Sequence, residues 1–300
     1  MKTVRLEHLT KDYGNHKGIF DISLDINEGE VFGFLGPNGA GKTTTMRHLL
    51  GFIQPQKGKS SILNLDCWAQ SKEIQKHLGY LPAEIAFPAN MTGAQLIRHT
   101  TEIRGLTSMT KTNMLLERFE LDPSAPIKRM SKGMKQKVGI ICAFMHDPKV
   151  LILDEPTTGL DPLMQSVFVE LIKEEKRDGK SILMSSHLFE EIEGTCDQIG
   201  IVKQGRLISM IDTLSMNFDR VTYKVEFYDQ EEFESFQSEG FVYRDILKED
   251  LRITIDIEDR QINDLLLSLS KRQVKSIREM KNSLEENFMG FYKGDNHDIQ

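Results

Sequence analysis

The chain opens on short alternations of apolar and polar residues. Val4-Arg5-Leu6 comes first, then Ile19-Phe20-Asp21-Ile22-Ser23-Leu24-Asp25-Ile26. A period of two turns one face of a segment to a core and the other to water, so residues 1–35 predict strands of an antiparallel sheet. Asn27-Glu28-Gly29-Glu30 reads as a turn, and Val31, Phe32, Phe34 and Leu35 as a buried strand. Residues 42–52 predict a helix, and 58–65 and 79–81 short strands. From about Gly93 to His146 the spacing becomes helical. Candidate helices are 94–104, 111–119 and 133–145, punctuated by Pro123, Pro126 and Pro148. Val150-Leu151-Ile152-Leu153 has no polar position, the pattern of a central parallel strand covered on both faces. A helix at 163–177, a buried strand at 181–186, a helix at 188–195 and a hairpin of 199–202 with 206–211, turned at Gln204-Gly205, follow.

After residue 215 the pattern changes. Strands are expected at 220–227, 241–246, 251–257 and 273–277, and helices at 230–238, 260–270 and 283–292. The order resembles a small α+β layer of ferredoxin-like type, and the last residues, 295–300, are expected to fray. The expected organisation is therefore an α/β unit over 1–215, with a helical insertion at about 85–147, and a small α+β accessory domain over 216–300.

Charge sharpens that division. Residues 216–300 carry 12 Lys and Arg against 19 Asp and Glu, whereas residues 1–215 carry 26 of each. An acidic second domain is a poor electrostatic partner for nucleic acid or anionic lipid, so no nucleic-acid partner is expected. Cys67, Cys142 and Cys196 are far apart, which argues against a disulfide framework or a zinc site and for a reducing cytosol. Residues 1–6 do not form a signal peptide, and no apolar run approaches the ~18 residues of a membrane helix. A membrane role therefore requires a partner.

The candidate chemistry centres on Gly36-Pro37-Asn38-Gly39-Ala40-Gly41-Lys42-Thr43, which fits the phosphate-loop pattern G-x-x-x-x-G-K-[ST]. An apolar strand precedes it, and Thr44 and the residues after it begin a helix. Glycines let backbone N–H groups wrap a phosphate, and a helix N-terminus favours an anion. Lys42 is expected on the β- and γ-phosphates and the Thr43 hydroxyl on Mg²⁺. The apolar run at 150–153 ends in Asp154-Glu155-Pro156. Beside a phosphate loop, Asp154 is expected to hold Mg²⁺ and Glu155 to act as general base toward water.

With these residues in order, the chain resembles the ATP-binding subunits of ABC transporters over roughly residues 1–211. Gly36–Thr43 is similar to the Walker A loop and Val150–Glu155 to the Walker B strand with its glutamate. Met130-Ser131-Lys132-Gly133-Met134 resembles the family signature, with Ser131 and Gly133 retained and Lys132 and Met134 departing from it. Thr158-Gly159-Leu160-Asp161 looks like the D-loop, His187 occupies the switch-histidine position, and Tyr13 matches the aromatic that stacks on adenine. At the lip where the family usually carries Gln, Ala83 stands instead, followed by Glu84, a candidate Mg²⁺ ligand.

The resemblance implies a P-loop NTPase core of the ABC type with an antiparallel β subdomain. It implies ATP and Mg²⁺ as ligands, bound by Tyr13, residues 36–44, and Ser131 and Gly133 of the opposite copy in a head-to-tail dimer. It further implies a membrane-spanning permease on a separate chain, a place on the cytoplasmic face of the membrane, and, by analogy only, export rather than import. Two other readings stay open. One is a soluble ABC-type ATPase acting on DNA or the ribosome, against which stand the single phosphate loop and the absence of a long coiled-coil insert. The other is a regulatory module without turnover, against which stand Glu155 and His187.

Overall fold

The structure is a computed structural model that describes residues 1–188, 191–192, 194–213 and 220–280. The helix expected at 188–195 falls partly outside these residues. The helix at 283–292 and the end at 295–300 fall wholly outside them. The chain forms two compact units, Met1–Thr213 and Leu214–Gln300.

The first unit holds two sheets. Strands β1 (Lys2–Asp12), β2 (Gly18–Asn27), β4 (Lys57–Ile62) and β5 (Leu65–Asp66) form one, in the order β2-β1-β4-β5 and antiparallel throughout. β1 is far longer than the Val4–Leu6 alternation suggested. A bulge after Leu6, where His8 takes a left-handed φ of 50°, breaks its period of two and lets pairing with β2 continue to Asp12. The segment expected as one strand at 58–65 is a hairpin. Leu63 and Asn64 both have positive φ, 53° and 63°, as a two-residue primed turn between β4 and β5 requires.

The second sheet combines β3 (Val31–Leu35), β6 (Leu78–Leu81), β7 (Val150–Asp154), β8 (Ser181–Ser186), β9 (Gln198–Lys203) and β10 (Arg206–Asp212). Its order is β10-β9-β3-β8-β7-β6, parallel except for the β9–β10 hairpin. Every residue of β3, β7 and β8 is buried, as strands covered on both faces must be. Gly33 allows close cover: a Cβ there would stand 2.5 Å from Ile192 Cγ2. Because β8 lies between β3 and β7, the carboxyl ends of all three meet at one edge. Ligands of open parallel sheets bind at such an edge.

Helix α1 (Lys42–Leu49) follows β3 and stops three residues short of the expected end. Gly51, at φ 72°, closes it, with Phe52 N–H on Arg47 O and Gly51 N–H on His48 O. That is a Schellman cap, which satisfies carbonyls the helix leaves open. A one-turn helix α2 (Ser71–Ile74) was not anticipated; four residues carry too little periodicity to be seen. The insertion comprises α3 (Gly93–Arg104), α4 (Thr110–Arg118) and α5 (Lys132–Phe144). α3 starts in a capping box of Thr92 and Gln95 and ends at left-handed Gly105. Ser131 caps α5 and Asp161 caps α6 (Pro162–Arg177), each cap contributing about 1 kcal/mol.

The second unit runs β11 (Arg220–Phe227), α7 (Gln230–Gln237), β12 (Tyr243–Leu247), β13 (Arg252–Glu258), α8 (Ile262–Leu269) and β14 (Val274–Met280). The sheet order is β12-β13-β11-β14, antiparallel at each pairing. This connectivity and order are those of a ferredoxin-like layer. Alternate residues of β11 and β13, among them Tyr223, Val225, Ile253 and Ile255, pack under Phe233 and Phe236 of α7 and Leu265 of α8.

Candidate nucleotide site

The loop between β3 and α1 is built from conformations only glycine adopts without strain. Gly39 and Gly41 have φ of 81° and 112°. At Gly36 a Cβ would run into the carbonyl oxygen of Val202, and at Gly41 it would stand 2.9 Å from Ile19 Cγ2. Lys42 is buried, and its ammonium donates to the loop's own carbonyls, Gly36 O at 2.5 Å and Pro37 O at 3.4 Å. α1 has neither a side-chain cap nor an acidic residue in its first turn. Its leading N–H groups are therefore open to an anion, and its dipole favours one.

The carboxylates stand opposite. Asp154 is buried at the end of β7. Its Oδ2 accepts from Thr43 Oγ1 at 2.6 Å and its Oδ1 from Ser185 Oγ at 2.5 Å. Glu155 is the next residue and takes a left-handed φ of 50°, which turns its side chain back over the loop. Its Oε2 lies 2.7 Å from His187 Nδ1. Its Oε1 is 3.4 Å from Lys42 Nζ, close enough for an ion pair, yet it is buried without a hydrogen bond among the described residues. A buried carboxylate oxygen left in this way is costly unless a water or ligand group completes it.

These groups share one cleft of about 1380 Å³ with Tyr13, Pro37, Asn38, Ala40, Thr44, Ala83 and Glu84. Tyr13 is 54% exposed, with Lys11 Nζ over its ring at 5.7 Å from the centre. Glu84 is exposed and makes no hydrogen bond or ion pair among the described residues. Ser131 and Gly133 do not line the cleft. They sit at the start of α5, where Ser131 Oγ accepts from Met134 N–H and a Cβ on Gly133 would meet Gly159 O at 2.6 Å. A wall that sequence reasoning missed is the β9–β10 turn, Gln204, Gly205 and Arg206. Its only local signal was the turn itself, because its contact with the loop spans more than 160 residues of chain.

The residues present fit a nucleotide and its metal. Among the described residues no group of three or more His, Cys, Asp or Glu could hold a metal ion alone. Thr43 and Asp154 offer adjoining oxygens, suited to an Mg²⁺ that completes its octahedron with waters and phosphate oxygens.

Comparison with known proteins points the same way. Residues 19–158 match the family described as ABC transporter. The uncharacterized ABC transporter ATP-binding protein YhcH of Bacillus subtilis is 32% identical over 296 residues, covering 96% of each chain. The chain belongs to the ABC transporter ATP-binding proteins. Another relative of this ABC protein is the bacitracin transport ATP-binding protein BcrA of Bacillus licheniformis, 36% identical over 214 residues and 69% of each chain. Among solved structures, an ATP-binding subunit of an ABC transporter aligns with a TM-score of 0.65 at 29% identity, over 79% of this chain and 95% of that one. A dimeric ATP-binding cassette bound to ADP and Pi aligns at 0.64 over 70% and 98%; at 21% identity it speaks for the fold alone. The first unit is thus a P-loop ATPase of the ABC type.

Proposed function

We propose that this ABC ATP-binding protein hydrolyses Mg-ATP to ADP and phosphate and couples hydrolysis to export of a substrate through a membrane-spanning subunit on a separate chain. The observation that carries the enzymatic part is Glu155. One of its oxygens is held by His187, and the other is buried, lacks a hydrogen bond among the described residues and lies beside Lys42. That oxygen can take a proton from a water aimed at the γ-phosphate. Lys42 and the N–H groups of residues 39–44 hold the phosphates, and Tyr13 stacks on adenine. Thr43 and Asp154 receive Mg²⁺, which draws charge from the phosphate oxygens when bound, and exposed Glu84 can reach toward it from the lip. Ser131 and Gly133 lie outside the cleft, which suits action on the nucleotide of a second copy in a head-to-tail dimer.

The transport part rests on relatives. BcrA is named for bacitracin transport. LnrL of Bacillus subtilis, named as a linearmycin resistance ATP-binding protein, is 33% identical over 212 residues. Both names concern antibiotics, which favours export. No described helix is long and apolar enough to cross a membrane, so a permease would supply the attachment to the cytoplasmic face of the membrane. Affinity purification from a detergent extract tests the reading. A multi-span protein should co-elute, and the complex should turn over ATP with wild-type Glu155 and not with Glu155→Gln. Recovery of the chain without any membrane protein, or equal turnover by the variant, would overturn it.

A further inference from the structure

The β9–β10 hairpin touches the phosphate loop at three points. The carbonyl of Val202 occupies the space a Cβ on Gly36 would need, and Gly205 Cα lies where a Cβ on Gly41 would come within 3.2 Å. Between them, Gly205 N–H donates to Ala40 O at 2.8 Å. The turn is built for this approach. Gln204 and Gly205 both have positive φ, 49° and 75°, the conformation of a two-residue primed turn between paired Lys203 and Arg206. Gly205 O accepts from Phe20 N–H at 2.7 Å, and the Arg206 guanidinium lies 5.5 Å from the centre of the Phe20 ring. The turn is therefore pinned to β2 on one side and to the loop on the other.

Peptide planarity gives the hydrogen bond to Ala40 a consequence. In a trans peptide the carbonyl and the following N–H point in opposite directions. Holding Ala40 O outward against Gly205 therefore aims the N–H of Gly41 inward, toward the space the loop encloses. We propose that Gly205 is a positioning residue for nucleotide binding: it fixes the Ala40–Gly41 peptide so that the Gly41 N–H faces a phosphate. The position demands glycine, because a Cβ would collide with the carbonyl oxygen of Gly18 and stand 3.0 Å from Phe20 Cδ2. A side chain there must push the turn off the loop.

The inference rests on the reading that residues 36–43 bind ATP, and the test separates the two. ATP affinity by equilibrium dialysis, kcat, KM and the thermal midpoint without nucleotide are measured for the wild type, Lys42→Ala, Gly205→Ala and Arg206→Ala. Loss of binding in Lys42→Ala supports the loop reading; retained binding there sinks that reading and the inference with it. With the loop reading upheld, Gly205→Ala should bind ATP about tenfold more weakly, the scale of one lost hydrogen bond, and raise KM while kcat at saturation stays within about twofold. A purely structural role would lower kcat through a smaller active fraction and leave KM alone, and that result would overturn the inference. Arg206→Ala keeps the glycine and removes the brace on Phe20 together with one cation of the cleft wall, so it should raise KM at least about threefold. If Gly205→Ala does not fold, Arg206→Ala decides, and an unchanged KM there would overturn the proposal.

Discussion

His187 Nδ1 and Glu155 Oε2 lie 2.7 Å apart, joining the ends of β8 and β7 across the mouth of the cleft. One oxygen of the glutamate is thereby held, and the other is the proposed base toward water. Glu155→Gln preserves the shape and removes that proposed base. ATP should still bind and turnover should fall by at least about a hundredfold. With Mg-ATP, the variant should elute from size exclusion as a dimer. A dimer turning over ATP at the wild-type rate would place the base elsewhere.

Lys42 is the one cation among the described residues that is both buried and in contact with the loop. Lys42→Ala removes a desolvated charge proposed to face the phosphates, with an expected cost of about 2–5 kcal/mol in ATP binding. Isothermal titration should show affinity weaker by at least about thirtyfold. Near-normal affinity would contradict the phosphate-loop role.

How much of this was legible in the sequence depended on range. β3, the loop and the start of α1 form one continuous stretch, and β7 with Asp154-Glu155 is an unbroken apolar run, so local pattern sufficed for both. The pairing of Thr43 with Asp154, 111 residues apart, could be inferred only through a motif. The β9–β10 turn could be seen as a turn but not as a wall of the cleft, since nothing near Gly205 in sequence reports Ala40. Likewise the pattern at 58–65 predicts straight strand and hides the hairpin at Leu63-Asn64, because neither residue marks a left-handed φ as glycine would.

Glu84 tests the departure from the family at the lip. It is exposed, so Glu84→Ala should change stability by no more than about 0.5 kcal/mol. If the carboxylate approaches Mg²⁺ once nucleotide is bound, the variant should need more Mg²⁺ for half-maximal turnover, and Ala83→Gln in the double variant should partly restore it. An unchanged Mg²⁺ titration would remove Glu84 from the metal site.

His146 gives the first unit a pH limit. Its Nε2 lies 3.0 Å from Leu78 O, and its Nδ1 is buried without a partner among the described residues. Burial first, then repulsion from Arg104, pushes its pKa down from 6.5 to about 4. The unfolded chain gains the proton as pH falls through 6.5, while the folded chain resists until about 4. The stabilisation is therefore whole above the first value and lost between the two, by up to about 3 kcal/mol. Urea unfolding of wild type and His146→Gln at about pH 7 and about pH 4.5 checks this. The variant should lose less stability on acidification; parallel losses would exclude His146 as the cause.

The boundary between the two units is also testable. Thr213 N–H donates to Asp197 O at 2.8 Å, and its hydroxyl donates to Cys196 O at 2.8 Å and Asp197 O at 2.9 Å. A chain ending after Thr213 keeps these bonds and should bind ATP within about threefold of the full chain. Ending it one residue earlier should lower the melting temperature by several degrees, at about 1 kcal/mol per lost bond. Failure of the longer fragment to bind ATP while folded would mean that the second unit contributes to the nucleotide site.

The ammonium of Lys42, resting on Gly36 O and Pro37 O, has a kinetic consequence. These bonds and the glycine φ angles hold the loop's shape within the chain itself, so we expect capture of a triphosphate by exchange of one set of oxygens for another. We expect its rate in stopped-flow mixing to rise linearly with ATP concentration and to slow as salt screens the lysine. A rate that levels off at high ATP would instead reveal a slow step before capture.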